Sequence, residues 1–306
     1  MNNEFIKIHK VDLALLDEFI AEKTDYSNVK PLNLKFDVIF MSYNEKGADK
    51  NYEILKKFVP NAKRVNGVKG ILNAYNACRE LSETPFYYIV EGDSIVCNDF
   101  KFKLPGIWLR NVTYCISQKL VYNNLDIESE EVTSTLSCKW NAINPVNGEI
   151  LPHSPIGLAY KSSKPYDYYF GATDADLFKT YGAITVKTIA SIDAFNSSPY
   201  DAWKTGFRIG NKLAYHLLNL ENLNVRVYRG IPPDLYDNYA EERLHHWESV
   251  GYDRPNGKYC IEGVKLGKAM AKKHNTWWLE YRKTSQNFDN LKNIFIKEYG
   301  TEYYNN

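Results

Sequence analysis

Between Phe36 and Val90, three apolar runs alternate with two stretches of helical period, and that alternation leaves few folds open. Phe36-Asp37-Val38-Ile39-Phe40-Met41 is predicted as a buried strand. Asp49 to Val59 follows as a helix with Tyr52, Leu55 and Phe58 on one side and Pro60 at its end. Lys63-Arg64-Val65 is a short strand, Lys69 to Leu81 a second helix, and Phe86-Tyr87-Tyr88-Ile89-Val90 a third strand. Two helical crossovers between strands this close in sequence imply parallel pairing and right-handed connections. The expected class is α/β, a Rossmann-type mixed sheet flanked by helices.

The third run stops at Glu91-Gly92-Asp93. Ligands of open α/β sheets bind at the carboxyl ends of strands. Two residues apart, Glu91 and Asp93 point to one side if the extended geometry persists, and Gly92 lets a diphosphate and its metal approach the backbone. Hard divalent cations take oxygen ligands, so one or two carboxylates with phosphate oxygens complete a site. Alone, such a turn is also how a strand ends in water. Two further strand ends converge on the same edge: Ser42-Tyr43-Asn44, and Arg64-Val65-Asn66-Gly67-Val68-Lys69-Gly70. The helix opening at Lys69 adds backbone N–H donors and a positive dipole end. Ser42, Tyr43, Asn44, Asn66, Lys69, Glu91 and Gly92 are therefore the candidate nucleotide contacts, and Asp93 and Glu91 the candidate metal ligands.

Elsewhere the pattern is looser. Apolar positions from Val11 to Ile20 predict a short helix within residues 5 to 23, which makes 1–34 a helical extension. Residues 35–230 form the expected catalytic domain and 231–306 a helical region packed on it. Trp108 to Ser117 holds a possible strand, Asn123 to Ser137 a loop or hairpin, and Asn144-Pro145-Val146-Asn147-Gly148 a turn. Ile184 to Ala190 is predicted as a strand and Pro199 to Leu218 as a helix, with Trp203, Phe207, Leu213 and Ala214 turned to the core.

Composition removes several functions. Lys and Arg number 38 against 37 Asp and Glu, so no global charge draws the chain to nucleic acid, and a polyanion would need a local patch. Lys265, Lys268, Lys272, Lys273 and His274 on one predicted helix could meet phosphates, although such charge runs usually serve to solvate a helix. The five cysteines are odd in number, scattered and without a C-x-x-C pair, which argues against a disulfide framework or zinc site and for a reducing compartment. With no signal-peptide pattern and no apolar run of membrane length, the expectation is a cytoplasmic protein without a membrane partner.

These blocks resemble the GT-A fold of sugar-nucleotide-dependent glycosyltransferases, family 2 in particular. Gly70-Ile71-Leu72-Asn73-Ala74-Tyr75-Asn76 is similar to the G-x-x-x-A-x-N segment that lines the nucleotide there, and Glu91-Gly92-Asp93 to the acid-x-Asp metal motif, with Glu in place of the usual first Asp. A closer resemblance, from Phe36 to about His274, is to glycosyltransferases of tailed bacteriophages. It rests on Asp37 to Glu45, Ala62 to Ile71, Asn144 to Asn147, Ala194-Phe195-Asn196, Trp203-Lys204, Glu241 to Leu244 and Gly257 to Gly263.

The resemblance implies a UDP-sugar donor, a divalent metal (Mn2+ or Mg2+), and a hydroxyl acceptor on hydroxymethylated pyrimidines, such as 5-hydroxymethylcytosine, in double-stranded phage DNA within the host cytoplasm. A saccharide or protein acceptor, or nucleotide binding without turnover, remains open. Bond cleavage passes through an oxocarbenium-like transition state and leaves charge on the diphosphate. Lys204 and Arg208, four apart on one helix, are candidates to meet it. An inverting enzyme needs a base, Asp193 first and Asp201 second; a retaining one does not. His246, with His245 beside it, is the candidate third metal ligand, and Tyr252, Arg254 and Lys258 lie near a loop that could close over the substrate.

Overall fold

The computed structural model describes residues 6–10, 13–103, 113–120, 125–129, 136–143, 150–151, 156–160, 183–193, 198–222, 241, 244–245, 247–248, 255–274 and 287–305. Its strands are β1 (Ile6–Lys10), β2 (Asp37–Ser42), β3 (Lys63–Asn66), β4 (Phe86–Glu91), β5 (Ser94–Val96), β6 (Thr113–Leu120), β7 (Leu125–Ser129), β8 (Leu136–Ile143), β9 (Ile150–Leu151), β10 (Ile156–Tyr160) and β11 (Ala183–Asp193). Its helices are α1 (Leu13–Lys23), α2 (Ala48–Phe58), α3 (Ile71–Leu81), α4 (Pro199–Asn222), α5 (Gly257–His274), α6 (Phe288–Tyr299) and α7 (Thr301–Asn305). They divide into two units. Ala14–Lys119 with Leu136–Asp193 carries the sheets, and Met1–Leu13, Leu120–Thr135 and Ala194–Asn306 form a mainly helical unit.

The sheet unit is mixed α/β. Its central sheet runs β10-β4-β2-β3, with β4, β2 and β3 parallel and β10 antiparallel at the edge of β4. The two crossovers predicted from the sequence are present as β2-α2-β3 and β3-α3-β4. Alternate residues of β2 face opposite ways. Ile39 and Met41 join Ala74, Tyr75 and Cys78 of α3 in one buried cluster, while Phe40 packs its ring 5.3 Å from Tyr52 of α2 on the other side. Both faces are thus covered, which is why β2 and β4 are almost continuously apolar. Because α2 and α3 follow adjacent strands but cover opposite faces, the loops leaving β2 and β3 part at the carboxyl edge. A crevice of that kind is where open α/β sheets hold ligands. A second sheet, β5-β11-β6-β8-β9, continues from the turn after β4.

Asp37 anchors the opposite end of β2. Its carboxylate accepts from the N–H of Glu83 at 2.6 Å and of Thr84 at 3.2 Å, and pairs with Lys63 at 3.0 Å. Burial alone would push this carboxyl up, but the Glu83 N–H, the Lys63 ammonium and the Ser82 hydroxyl outweigh it and hold the carboxyl below its usual range. The C-terminus of α1 is held by Asn98, whose Nδ2 donates to the carbonyls of Glu22 at 2.6 Å and Asp25 at 2.8 Å, satisfying groups a helix end leaves orphaned.

In the helical unit, α4 and α5 enclose a core with α6 that includes Trp203, Phe207, Leu213, Trp247, Val264, Leu291 and Phe295. The predicted core positions of the Pro199 helix are therefore buried, Ala214 among them. The two long helices approach backbone to backbone. A Cβ at Gly206 would stand 2.8 Å from the Cys260 carbonyl carbon, and one at Gly210 would stand 2.8 Å from that of Val264. In return, a Cβ at Gly263 would stand 3.0 Å from the Trp203 carbonyl carbon, and one at Gly267 would stand 3.0 Å from that of Phe207. Contacts rise together along both chains, so the helices run parallel, and Asn211 Nδ2 seals the contact by donating to the Gly267 carbonyl at 3.0 Å.

Two expectations change. Residues 6–10 are a strand, not part of a helix, and pair antiparallel with β7, which lies inside the segment read as loop or hairpin. The alternation of Ile6 and Ile8 with Lys7 and His9 is a period of two, which suits a strand rather than a helix turn. The turn at 144–148 lies outside the described residues. Among the described residues, no helix is long and apolar enough to cross a membrane.

Candidate functional site

Ser42, Asn66 and Glu91 end three adjacent strands. Ser42 is in register with Asn66, whereas Glu91 is in register with Met41, one residue below that level and on the α3 face of the sheet. Beyond them the chain turns at Gly92 and Asp93 before β5. Gly92 is buried, and a Cβ there would stand 2.7 Å from Glu45 Oε2 and 2.9 Å from Ser42 Cβ. Only glycine lets the turn lie this close to the β2 loop. Its carbonyl accepts from Asn51 Nδ2 at 2.9 Å, which fixes the turn from α2.

The two carboxylates differ. Tyr75, reaching up from α3, donates its hydroxyl to Glu91 Oε1 at 3.2 Å. Asp93 Oδ1 is buried without a hydrogen-bond partner. A buried carboxylate oxygen costs free energy unless something compensates it, so the position is suited to a cation. Among the described residues no three His, Cys, Asp or Glu side chains gather to hold a metal alone. A site of the Mg2+ type needs only one or two carboxylates, which share the ion with water and substrate phosphates. The residues present fit a hard divalent cation held in that way.

Around this corner, the Tyr43 ring is exposed and its N–H donates to Glu45 Oε2 at 2.7 Å. Asn44, Asn66 and Lys69 are exposed and Asn76 half-buried. Gly67 and Gly70 hold φ of 73° and 91°, left-handed values that bring the chain sharply from β3 into α3. No side chain caps α3 at Gly70, so its first N–H groups face the loop. Ser42 is buried, with 4 % of its surface exposed, and its Oγ lies between Arg64 and Asn66. It accepts from Arg64 Nε and Nη2, each at 3.1 Å, and donates to Asn66 Oδ1 at 2.8 Å.

Asp193 ends β11, which pairs antiparallel with β5 so that Asp193 stands opposite Ser94, one residue from Asp93. That register brings the first-choice base and the metal-ligand candidate to neighbouring backbone positions. The remaining candidates belong to the helical unit. Asp201 accepts from Ser198 Oγ at 2.9 Å while its own N–H donates back to that oxygen at 3.1 Å, a reciprocal cap at the start of α4. Lys204 pairs with Asp201 at 2.9 Å, and both Lys204 and Arg208 lie over the exposed Phe288 ring, at 5.7 Å and 5.5 Å. Lys268 pairs with Glu248 at 2.8 Å, whereas Lys265 and Lys272 are exposed. Lys258 lies 4.7 Å over the Tyr259 ring, and His245 is exposed. His246, Tyr252 and Arg254 lie outside the described residues.

Sequence reasoning passed over Glu45, Asn51, Arg64 and Tyr75 as individual contributors. Arg64 carried a signal, since a cation two residues from Asn66 on a strand shares its face. Comparison of the chain with protein-family models, with curated proteins and with solved structures found no match.

Proposed function

We propose that the chain is a metal-dependent glycosyltransferase of GT-A type, moving a sugar from a UDP-sugar to a hydroxyl acceptor, with 5-hydroxymethylcytosine in double-stranded phage DNA as the favoured acceptor. The observation that carries the reading is the buried, unpartnered Oδ1 of Asp93 at the carboxyl end of a parallel strand. The acceptor comes from the phage resemblance alone.

Asp93 would hold Mn2+ or Mg2+ together with the phosphate oxygens of the donor. Bound there, the cation supplies positive charge where the departing diphosphate gains negative charge. Glu91, steadied by Tyr75, faces the ribose or a metal-bound water, and the α3 N–H groups with Lys69 receive phosphate. Tyr43 offers an exposed ring for the base to stack on. Asp193 takes the acceptor proton in the inverting version, and its place opposite Ser94 favours it over Asp201, whose carboxylate is engaged in a helix cap.

Incubation of the chain with UDP-sugars and Mn2+ should release UDP, and digestion of treated hydroxymethylcytosine DNA should yield a nucleoside heavier by one sugar. UDP release with unchanged base mass moves the acceptor to a saccharide or protein. No release from any common donor, with UDP still bound, makes the chain a binder rather than an enzyme.

A further inference from the structure

The hydrogen-bond chain from Arg64 through Ser42 to Asn66 has a direction, and the direction selects a ligand. A serine hydroxyl has one proton to give and two lone pairs to accept with. Arg64 Nε and Nη2 fill both lone pairs at 3.1 Å, so the hydroxyl proton must go to Asn66 at 2.8 Å. Asn66 therefore turns its carbonyl oxygen inward and its amide NH2 outward, where among the described residues it has no partner. Arg64 cannot readily swing away. Its Nη1 pairs with Asp49 at 2.7 Å, and its guanidinium lies 5.6 Å over Phe40 and 5.2 Å over Tyr52.

From this we infer that Asn66 reads a carbonyl group on the donor's base, admitting uracil and disfavouring cytosine, and that Arg64 is the positioning residue that sets this choice through Ser42. The inference rests on the nucleotide-sugar reading and names the base selectivity of that same site. Asn66 stands beside Ser42 from one side and the Gly92 turn that leads into Asp93 lies against Ser42 from the other, so about two strand spacings, ~9.5 Å, part Asn66 from that turn, comparable with a nucleotide laid from base edge to phosphate. With the diphosphate at Asp93, the pyrimidine edge far from the ribose reaches Asn66. There uracil presents an acceptor at its 4-position and cytosine an NH2, which would meet the outward amide donor to donor.

Calorimetric titration with UDP and CDP in the presence of Mn2+ tests this, because the two ligands differ only at that edge. The unsubstituted chain should bind UDP about tenfold more tightly than CDP. Ser42→Ala frees the amide to rotate, and Arg64→Met keeps the apolar stem while removing the donors; each should bring the ratio close to unity. Asn66→Asp retains the inward acceptor but turns an acceptor outward, so the preference should reverse toward CDP. General loss of stability weakens both ligands and leaves their ratio alone. Equal binding of both by the unsubstituted chain, or a UDP preference that survives Ser42→Ala and Asn66→Asp, overturns the inference and leaves the nucleotide site standing. Binding of neither overturns the site, and the inference with it.

Discussion

Replacing Gly206 or Gly210 of α4 by Ala should destabilise the helical unit, although Gly→Ala in an uncrowded helix stabilises a protein by about 0.4–1 kcal/mol. At Gly210 the new Cβ would stand 2.8 Å from both the carbonyl carbon and the Cα of Val264. Ordinary carbon contacts lie at about 3.5–4.0 Å, so α4 and α5 must part by about 1 Å at that point. The obstacle is backbone, which no rotamer change removes. A gap of that size forfeits a quarter to a half of each dispersion contact along the shared face, and overpacking of this kind costs about 1–3 kcal/mol. Set against the propensity gain, the net loss is about 1–2 kcal/mol for each single variant. The double variant should lose less than the sum, because one separation relieves both clashes. Urea unfolding followed by far-ultraviolet circular dichroism reads this as a lower midpoint with an unchanged slope. Equal or raised stability in either single variant would show that the two helices do not meet through these glycines.

Asp37→Asn removes a carboxylate that accepts from two backbone N–H groups and pairs with Lys63, and should cost about 1–3 kcal/mol at neutral pH. Since the folded state holds this carboxyl below its ordinary value, its contribution is full above about pH 4 and fades as the pH falls through the lowered value. The gap in stability between the two proteins should therefore narrow in acid, and a gap independent of pH would contradict the assignment. Gly92→Ala should weaken Mn2+-dependent UDP binding by about tenfold or more while shifting the melting temperature little. Glu45 can swing away from the new methyl, but Ser42 Cβ cannot, and the displaced turn carries Asp93 with it.

Much of the sheet was legible in the residues because its strands are buried on both faces and therefore nearly unbroken apolar runs. The paired carboxylates at the end of β4 stood out for the same reason, at the point where such a run stops. Register was not legible. That Ser42 lies beside Asn66, and Asp193 beside Ser94, depends on which strands pair, and one sequence carries no such information. The parallel helix pair escaped because hydrophobic period marks large residues, whereas this contact is made by glycines four apart, Gly206 with Gly210 and Gly263 with Gly267. Asp201 was legible in its local role, since Ser198-Pro199-Tyr200-Asp201 is a helix-start signature and the carboxylate does cap α4.

Asp93 is the proposed anchor of a cation that carries the donor's diphosphate. Titration of UDP with and without Mn2+, on the unsubstituted chain and on Asp93→Asn with circular dichroism as the check of folding, tests it most directly. Mn2+ should strengthen UDP binding by about tenfold or more in the first and by nothing measurable in the second. Equal metal dependence in both proteins, or tight UDP binding that ignores Mn2+, would contradict it.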